Sequence, residues 1–387
     1  MTRYRAEAEF DTLRSLRVHR PGFETFVGSL DHRRHGFPDP LSVSTARAEH
    51  DELVAVLEGE GLEVRYLHDD LDGVTLDSLL GDSVSLPDQV RTALAEMSPA
   101  DRLTAVATGL RATLDGHQND PEIEVAMSGV ASNLYFQRDD QLLADRSPVV
   151  CRPYSEVRVR EMPLVRAGWE SLGEDPIVAG PEPIEGGDFL PLDEFALLMV
   201  SAALDGEEHV LRTSVAAGEA LLESGALGYE EVGLVRAPLE ADRREAASRG
   251  RESRLMHLDG WCNVPAEGLA VVRESLAEEA TVEVYRREGD GYRHDRTERS
   301  LLAYLRRKEY ETIDAPYDER WATNFLTIDD GTVVAVAEST QGTEGQTIRR
   351  MREAGIEVVP DGVGMRVNEL TKGGGAVHCM TQPIART

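Results

Sequence analysis

Four short segments of the sequence combine residue types that can do chemistry. Residues 133–139 read NLYFQRD, and residues 185–188 read EGGD, in which two acids flank a glycine pair that permits a tight turn. Residues 256–259 read MHLD, whose His and Asp would share one face of a strand. Residues 373–381 read GGGAVHCMT, a glycine-rich loop that delivers a cysteine beside a histidine. Each segment alone is a weak signal, and the glycines form no phosphate-binding pattern.

Together, the segments suit attack on a guanidinium group. A guanidinium is planar, permanently cationic and a poor electrophile because its charge is delocalised. Attack on its carbon needs acids that bind its N–H groups, a soft nucleophile, and a carrier for the proton of departing ammonia. Carboxylates, a thiol and an imidazole supply these groups here. A bound guanidinium would also lower the pKa of the thiol, since it places a positive charge beside it.

The ordered set of motifs resembles the arginine deiminases, a family related to amidinotransferases and dimethylargininases. The resemblance runs from EAEFDTLRSLRVHRPGFE at 7–24 to GGGAVHCMTQPIAR at 373–386. It implies hydrolysis of free L-arginine to citrulline and ammonia in arginine degradation, through a covalent thiouronium on the cysteine and without a metal or organic cofactor. The fold that it implies is a five-bladed, pseudo-symmetric α/β propeller, called a pentein, with the site in its central channel. It also implies a homo-oligomer.

The resemblance assigns roles to individual residues. It implies that Cys379 is the nucleophile and that His257 is the general acid and base. Asp139 and Asp259 would bind the guanidinium nitrogens, and Glu185 would orient His257. The further residues that it implies are Asp188 (support of His257), Asn133, Arg158 and Arg212 (a clamp on the α-carboxylate), Phe136 (packing on the substrate), Glu9 (placement of the cysteine loop) and Lys372 (the nearest basic residue before the cysteine, where the family usually has one).

The motifs leave other functions open. An amidinotransferase of the same fold would pass the amidino group to an amine, and another deiminase would act on a modified arginine. Hydrolysis of dimethylarginine is disfavoured, because those enzymes lack the helical insertion that we expect here. A non-catalytic arginine-binding sensor belongs to a different class, and it would be expected to lack Cys379 or His257. Both residues are present.

Units of helix, glycine and strand recur along the chain and would position these segments. The units are 47–61 with 62–67, 346–355 with 356–360, and a looser copy at 216–226 with 232–237. Further apolar runs lie at 189–201 and 331–339. The pattern favours a single closed, repeat-built domain over residues 1–387, although an ordinary α/β sheet shares it locally.

Residues 69–118 differ from these units, because their hydrophobic residues follow helical spacing and few are β-branched. Ser85 and Ser98 each precede an early proline and an acid, which is typical of helix starts. We therefore predict an all-helical insertion within the domain. Residues 287–300 are charged and rich in turn formers, which predicts a solvated loop before the helix LLAYLRRKEYE.

The composition narrows the class of protein. Hydrophobic residues make up 41% and charged residues 29%, which predicts a packed globular protein. No apolar run approaches the ~18 residues of a membrane span, and Met1 to Phe10 lacks a signal-peptide core. We therefore expect a cytoplasmic protein. Cys151 and Cys262 show no metal-ligand spacing, and we expect both to be structural and no metal to be bound.

The net charge excludes some partners. At −30, the chain would repel nucleic acid phosphates and anionic membranes, so the expected partner is the small molecule L-arginine. Lys308 and Lys372 are the only lysines among 41 basic residues. Such a strongly acidic, arginine-biased balance is typical of proteins adapted to high salt.

The charge predicts that added salt stabilises the protein. Mutual repulsion among the acidic residues is screened within about 3 Å at molar ionic strength, compared with about 10 Å at 0.1 M. The melting temperature should therefore rise between dilute buffer and molar KCl, measured by circular dichroism. Coincident melting curves in the two buffers would rule out adaptation to salt.

Overall fold

The computed structural model describes residues 4–80, 86–115, 122–127, 129–289, 291–337 and 345–387. Its strands are β1 (Leu13–Val18), β2 (Glu63–Tyr66), β3 (Leu110–Asp115), β4 (Glu122–Met127), β5 (Gln141–Leu143), β6 (Pro148–Val150), β7 (Ile177–Val178), β8 (Phe189–Leu192), β9 (Phe195–Val200), β10 (Ala202–Leu204), β11 (Glu207–His209), β12 (Glu231–Arg236), β13 (Cys262–Ala266), β14 (Leu269–Val272), β15 (Val282–Glu288), β16 (Gly291–Glu298), β17 (Glu311–Asp314), β18 (Leu326–Asp329), β19 (Thr332–Val334), β20 (Glu357–Val359) and β21 (Gln382–Arg386).

The helices alternate with these strands, so the fold is mixed α/β. They are α1 (Phe23–Leu30), α2 (His32–His35), α3 (Val43–Gly59), α4 (Leu67–Asp70), α5 (Leu76–Leu80), α6 (Asp88–Ala95), α7 (Pro99–Ala107), α8 (Met162–Ser171), α9 (Val215–Glu223), α10 (Leu239–Ser248), α11 (Glu274–Ala277), α12 (Leu301–Arg307), α13 (Gln346–Glu353) and α14 (Val377–Met380). Within the described ranges, no helix combines the length and apolar character that a membrane span requires.

Five sheets in the described part of the chain share one pairing pattern. Each has an antiparallel pair of strands, and a third strand that pairs parallel to the second of them. The sheets are β5–β6–β7, β8–β9–β12, β13–β14–β17, β18–β19–β20 and β21–β1–β2. A parallel pair needs a crossover connection, which a helix usually supplies. This requirement explains why a helix such as α8, α9 or α13 precedes each third strand.

The two ends of the chain form the fifth sheet together. Strand β21 pairs antiparallel with β1, with Leu16 opposite Pro383, and β1 pairs parallel with β2, with Leu16 opposite Val64. Leu13, Leu16 and Val18 of β1 are buried in one apolar cluster. The segment that precedes β21 therefore has its position fixed against residues at the start of the sequence.

The three predicted helix–glycine–strand units are confirmed with shifted ends, as α3 with β2, α9 with β12, and α13 with β20. Gly61 and Gly355 follow their helices at φ +82° and +92°. These left-handed angles favour glycine and stop the helix. The apolar run at 189–201 forms the β8–β9 hairpin, and the run at 331–339 contributes β19. Residues 338–339 lie outside the described ranges.

The predicted solvated loop at 287–300 is wrong. Residues 291–298 form β16, which pairs antiparallel with β15 and widens the second sheet to five strands. The charged side chains misled the prediction, because half of the residues of β16 are exposed and an exposed strand tolerates charge. Glu288 of β15 pairs with Gly291 of β16, so the two strands form a hairpin in place of the predicted long loop.

The predicted insertion is helical only in part. Helices α5, α6 and α7 lie within residues 69–118, and α4 overlaps its start. Residues 110–115, however, form β3, which pairs with β4 outside the predicted range. The Oγ atom of Ser98 caps α7 by accepting a hydrogen bond from the Asp101 amide at 3.2 Å, as its sequence predicts. The other predicted cap, Ser85, lies outside the described residues.

A buried ion pair connects the insertion to the sheets. The Nε atom of Arg17, on β1, donates to Asp70 Oδ2 at 2.7 Å, and both side chains are fully buried. Asp70 lies at the end of α4 and also accepts a hydrogen bond from Arg65 at 2.6 Å. Arg17 donates in addition to the Gly168 carbonyl oxygen at 2.9 Å. Burial of the Arg17 cation without Asp70 would be strongly unfavourable.

Replacement of Asp70 by Ala should therefore lower the free energy of unfolding by about 3–5 kcal/mol, because it strands the Arg17 charge in the interior. Urea denaturation measures the change. The control is Asp51→Ala, which removes an exposed pair with Arg20 and should cost about 0–1 kcal/mol. Equal effects of the two substitutions would contradict this account.

Candidate active site

The four sequence motifs occupy equivalent places in the fold. Asp139, Asp188, Asp259 and Cys379 lie one to three residues before the first strands of four sheets, which are β5, β8, β13 and β21. Asn324 holds the same place before β18, the first strand of the remaining sheet. Five segments that are far apart in the sequence therefore occupy the same position relative to their sheets. Contacts among these segments form one buried cluster.

The cysteine lies on the short helix α14. The thiol of Cys379 donates a hydrogen bond to Asp259 Oδ2 at 3.3 Å, and the Nδ2 atom of Asn324 donates to the sulfur at 3.1 Å. The Oδ1 atom of Asn324 accepts from the amides of Ala376 at 2.9 Å and Cys379 at 3.4 Å. One asparagine side chain therefore holds both the loop and the sulfur.

Glycines before the cysteine permit close packing. A Cβ atom on Gly375 would lie 2.7 Å from Cys379 Cβ and 2.7 Å from the ring of Phe136. In the EGGD motif, a Cβ atom on Gly187 would lie 2.9 Å from the His257 ring. These distances are too short for any side chain, so both glycine runs allow the reacting groups to approach each other.

His257 is held by two acids of the EGGD motif. Its Nε2 atom lies 2.7 Å from Glu185 Oε2. Asp188 accepts hydrogen bonds from the backbone amide of Leu258 at 3.1 Å and from the Thr213 hydroxyl at 2.6 Å. Glu185 therefore orients the ring, while Asp188 fixes the backbone that carries it.

Asp139 faces the other ring nitrogen of His257. Its Oδ1 atom lies 3.8 Å from His257 Nδ1. Both atoms are buried, and neither has a hydrogen-bond partner among the described residues. The Oδ2 atom of Asp139 accepts from Arg158 at 2.6 Å. A buried carboxylate oxygen and a buried ring nitrogen without partners are both free to form a hydrogen bond with a polar ligand.

A second layer of charges lies behind the cysteine. Arg138 donates from its backbone amide to the Cys379 carbonyl oxygen at 3.0 Å, and its Nε atom donates to the Thr381 carbonyl oxygen at 3.2 Å. Glu9 binds Arg386 at 2.7 Å and Arg138 at 3.4 Å. Glu9 is 1% exposed, and this network connects it to the backbone on both sides of the sulfur.

Charges in the cluster shift its pKa values in opposite directions. Burial, together with Asp259 and Asp139, raises the pKa of the Cys379 thiol well above its usual range. Burial acts to lower the pKa of His257, but Asp139 and Glu185 outweigh it and raise the pKa to about 10. In the empty site, therefore, the sulfur is a thiol and the imidazole is protonated at neutral pH.

Two cavities meet at the cysteine, and both are lined by Met256, His257, Gly374 and Cys379. The front cavity, about 270 Å³, is lined in addition by Arg33, Arg34, Asn133, Phe136, Asp139, Ser155, Arg158, Glu185 and Arg212. The rear cavity, about 190 Å³, is lined in addition by Arg254, Asp259, Gly260, Arg273, Tyr317, Arg320, Trp321 and Asn324. Most of the expected catalytic and substrate-binding residues therefore line the front cavity. Asp259 lines only the rear one, and Glu9, Asp188 and Lys372 line neither.

Two residues are placed differently from the expectation. Arg158 lines the front cavity, but its guanidinium is shared among three carboxylates, those of Asp139, Asp140 and Glu161. Lys372 pairs with Asp39 at 2.9 Å and with Glu369 at 3.0 Å, and it lines neither cavity at the cysteine. Neither basic group is left unpaired to meet a substrate carboxylate.

Sequence reasoning missed Asn324 and assigned no role to His378. The Nδ1 atom of His378 lies 2.8 Å from Asp259 Oδ2, and its ring is completely buried. Asn324 has no motif around it, and only its place before the first strand of a sheet could have drawn attention to it. The other two cysteines, Cys151 and Cys262, are buried and free, and burial raises the pKa of Cys262 to about 12.

Three buried ligand-type residues lie close enough together to hold a metal ion. Donor atoms of Asp139, Glu185 and His257 all lie within 4.8 Å of one another. The same three groups form the acid–base arrangement around the histidine. Their positions suit proton transfer and cation binding as well as they suit metal ligation.

Substitution of Asn324 should change the reactivity of the sulfur. In Asn324→Asp, a further carboxylate would stand beside Cys379 and oppose the thiolate, so alkylation by iodoacetamide at pH 9 should slow by about tenfold or more. Asn324→Ala loses the same donor without adding charge, so its alkylation should slow less. Identical alkylation rates in the parent and both variants would contradict the role of Asn324.

Comparison with solved structures agrees with the mixed α/β fold. An amidinotransferase of saxitoxin biosynthesis from Microseira wollei aligns with a TM-score of 0.57 at 14% identity, over 99% of this chain and 97% of that one. The inosamine-phosphate amidinotransferase from Streptomyces griseus aligns with a TM-score of 0.54 at 13% identity, over 100% and 98% of the two chains. At such low identity, the likeness concerns the fold alone.

Comparison of sequences is more specific. The family model described as arginine deiminase matches residues 36–386. A curated arginine deiminase from Halobacterium salinarum is 33% identical, over 100% of this chain and 97% of that protein. Both matches include the segments that form the buried cluster around Cys379. The chain belongs to the arginine deiminase family.

Proposed function

We propose that the protein hydrolyses L-arginine to L-citrulline and ammonia, with Cys379 as the nucleophile. The observation that carries the proposal is the position of the thiol, which touches Asp259, while His257 and Asp139 line the front cavity beside it. A cation is the natural occupant of a buried space with this many carboxylates. A planar guanidinium would also use their acceptor atoms directionally.

The front cavity supplies the substrate contacts in this proposal. Guanidinium N–H groups donate to the free Oδ1 atom of Asp139 and to Asp259, which places the guanidinium carbon near the sulfur. The ring of Phe136 packs on the side chain of the substrate. Arg212 and Asn133 bind the α-carboxylate at the outer end of the cavity. All these residues except Asp259 line the front cavity.

Arg158 acts through Asp139 in this arrangement. Its contacts with Asp139, Asp140 and Glu161 hold the Asp139 carboxylate in place before the substrate arrives. We therefore assign Arg158 to positioning and give the larger part of the carboxylate clamp to Arg212. Lys372 takes no part in binding, and Glu9 positions the cysteine segment through Arg138.

Substrate binding prepares the thiol for attack. In the empty site the pKa of Cys379 is high, because burial and two carboxylates oppose its negative charge. A guanidinium cation bound between Asp139 and Asp259 cancels that opposition and lowers the pKa of the thiol. The enzyme is thus activated by its own substrate.

The reaction then proceeds in two halves. The Cys379 thiol loses its proton to the solvent, its sulfur attacks the guanidinium carbon, and protonated His257 donates a proton to the nitrogen that leaves as ammonia. A thiouronium remains on the sulfur. His257, now neutral, accepts a proton from the water that attacks the same carbon. The carbon–sulfur bond breaks and citrulline is released.

Several properties of the whole molecule belong to the same proposal. The five sheets of equal pairing would form the five blades of a propeller, with the cluster around Cys379 in its centre and the helices near 69–118 inserted after the first blade. The strong negative charge supports an enzyme that binds neither nucleic acid nor anionic membranes, and we expect it in the cytoplasm. As in the resemblance, we expect a homo-oligomer without a metal or organic cofactor.

An amidinotransferase is the second candidate, because proteins of that activity share the fold. It would use the same thiouronium but pass the amidino group to an amine. Product analysis with and without glycine as an added acceptor separates the two functions. Formation of ornithine together with an amidinated amine, in place of citrulline, would assign the chain to the transferases.

Replacement of the nucleophile should abolish turnover. Cys379→Ser should lower the release of citrulline and ammonia from L-arginine by about 10⁴-fold or more, because a hydroxyl is a far weaker nucleophile than a thiolate. The matched control is Cys151→Ala, a buried cysteine outside both cavities, which should keep near-parent activity. Sizeable residual activity in Cys379→Ser would refute the covalent route.

A further inference from the structure

Beyond the residues that both cavities share, the rear cavity contributes only Asp259 to the substrate contacts described above, although it reaches the same sulfur. Cys379 and His257 line both cavities. At its outer end, the rear cavity is lined by Gly260, Arg254 and Arg320, all exposed to solvent. The thiol therefore lines two cavities whose other lining residues differ, apart from Met256, His257 and Gly374, which both share.

We propose that the rear cavity carries the small neutral reactants, admitting the water that hydrolyses the thiouronium and releasing ammonia, while the front cavity holds the amino acid. This inference rests on the covalent route proposed above. The front cavity, about 270 Å³, is smaller than the roughly 300–1,000 Å³ typical of pockets for drug-sized ligands. Once arginine is attached to Cys379, it fills that space and obstructs the passage of water.

The rear cavity has the size for this task. Its volume of about 190 Å³ exceeds many times the ~10–15 Å³ that one water molecule needs. Asp259, Asn324 and His257 supply polar partners for ordered water at its inner end. Ammonia has nearly the size of water, so it exchanges with water in the same space.

The charged residues that line the rear cavity favour the passage of neutral molecules. Arg254, Arg273 and Arg320 line it, and Asp259 is the one carboxylate among its lining residues. In the described part of the chain, neither Arg254 nor Arg320 has a carboxylate partner, although the net charge is −30. A guanidinium or ammonium cation that approaches from this side is repelled, whereas water and ammonia are not.

Hydrolysis of the thiouronium, the step for which this route supplies water, needs no reactant other than water. The oxygen of water bonds to the thiouronium carbon, and the carbon–sulfur bond breaks with its electron pair on sulfur. One proton of the water passes to His257 and the other restores the Cys379 thiol. His257 is thereby protonated again for the next turnover, and the proton that the Cys379 thiol released before its attack converts ammonia to ammonium in the solvent.

A substitution at Gly260 tests the route. This glycine lines only the rear cavity, and a Cβ atom placed on it meets no atom within 4 Å. Gly260→Phe should therefore fill the rear cavity, with Gly260→Leu as a smaller second variant if the first fails to fold. We expect kcat to fall by roughly tenfold or more, while acid-quenched enzyme carries the thiouronium on most of its Cys379, as measured by intact-protein mass spectrometry.

A matched substitution in the front cavity should impair substrate binding and leave hydrolysis of the thiouronium unimpaired. Ser155 lines only the front cavity, and Ser155→Phe should raise KM for arginine and leave little thiouronium on the enzyme. If the Gly260 variants keep the parent kcat, or lose activity without accumulating thiouronium, the rear route is wrong. Citrulline formation that persists in Cys379→Ala would instead overturn the covalent route itself, and so the two failures are distinguishable.

Discussion

Several carboxylates must lie close together in the interior if they are to bind a planar cation. Their mutual repulsion before the cation binds is the main electrostatic cost that this fold has to offset. The protein meets it by interleaving cations with acids. Arg158 stands among Asp139, Asp140 and Glu161, and protonated His257 stands between Asp139 and Glu185. These two cations stand among four acids, so the acids outnumber the cations and a positive charge is missing beside the sulfur. That missing charge is what the guanidinium brings.

The repeated sheet pattern explains how so many charges reach one place. Each sheet presents residues that precede its first strand to the same buried cluster, and together the sheets supply carboxylates, an imidazole, an amide and a thiol. One gives the carboxylate of Asp139, the next Glu185, and the others His257, Asn324 and Cys379. The short glycine runs are needed only where two of these groups pack within a few ångströms, as at Gly187 and Gly375.

Much of this arrangement could be predicted from the sequence, because the residues that do chemistry stand in motifs and the helix–glycine–strand units are strongly patterned. What escaped prediction has a physical reason. Asn324 acts through one side-chain amide and has no local pattern, and β16 was mistaken for a loop because its charged side chains face solvent. The pairing of Arg158 with three acids depends on contacts that only the folded chain creates.

The pairing of β21 with β1 has a consequence for the order of folding. Contacts between residues separated by nearly the whole chain form slowly, since the loop that must close to make them is long. Cys379 stands three residues before β21, so its position depends on this late contact. The thiol meets its carboxylates only when the remaining sheets are in place. In a partly folded chain, Cys379 therefore lies apart from the acids of the site. The active site is complete only when β21 has paired with β1.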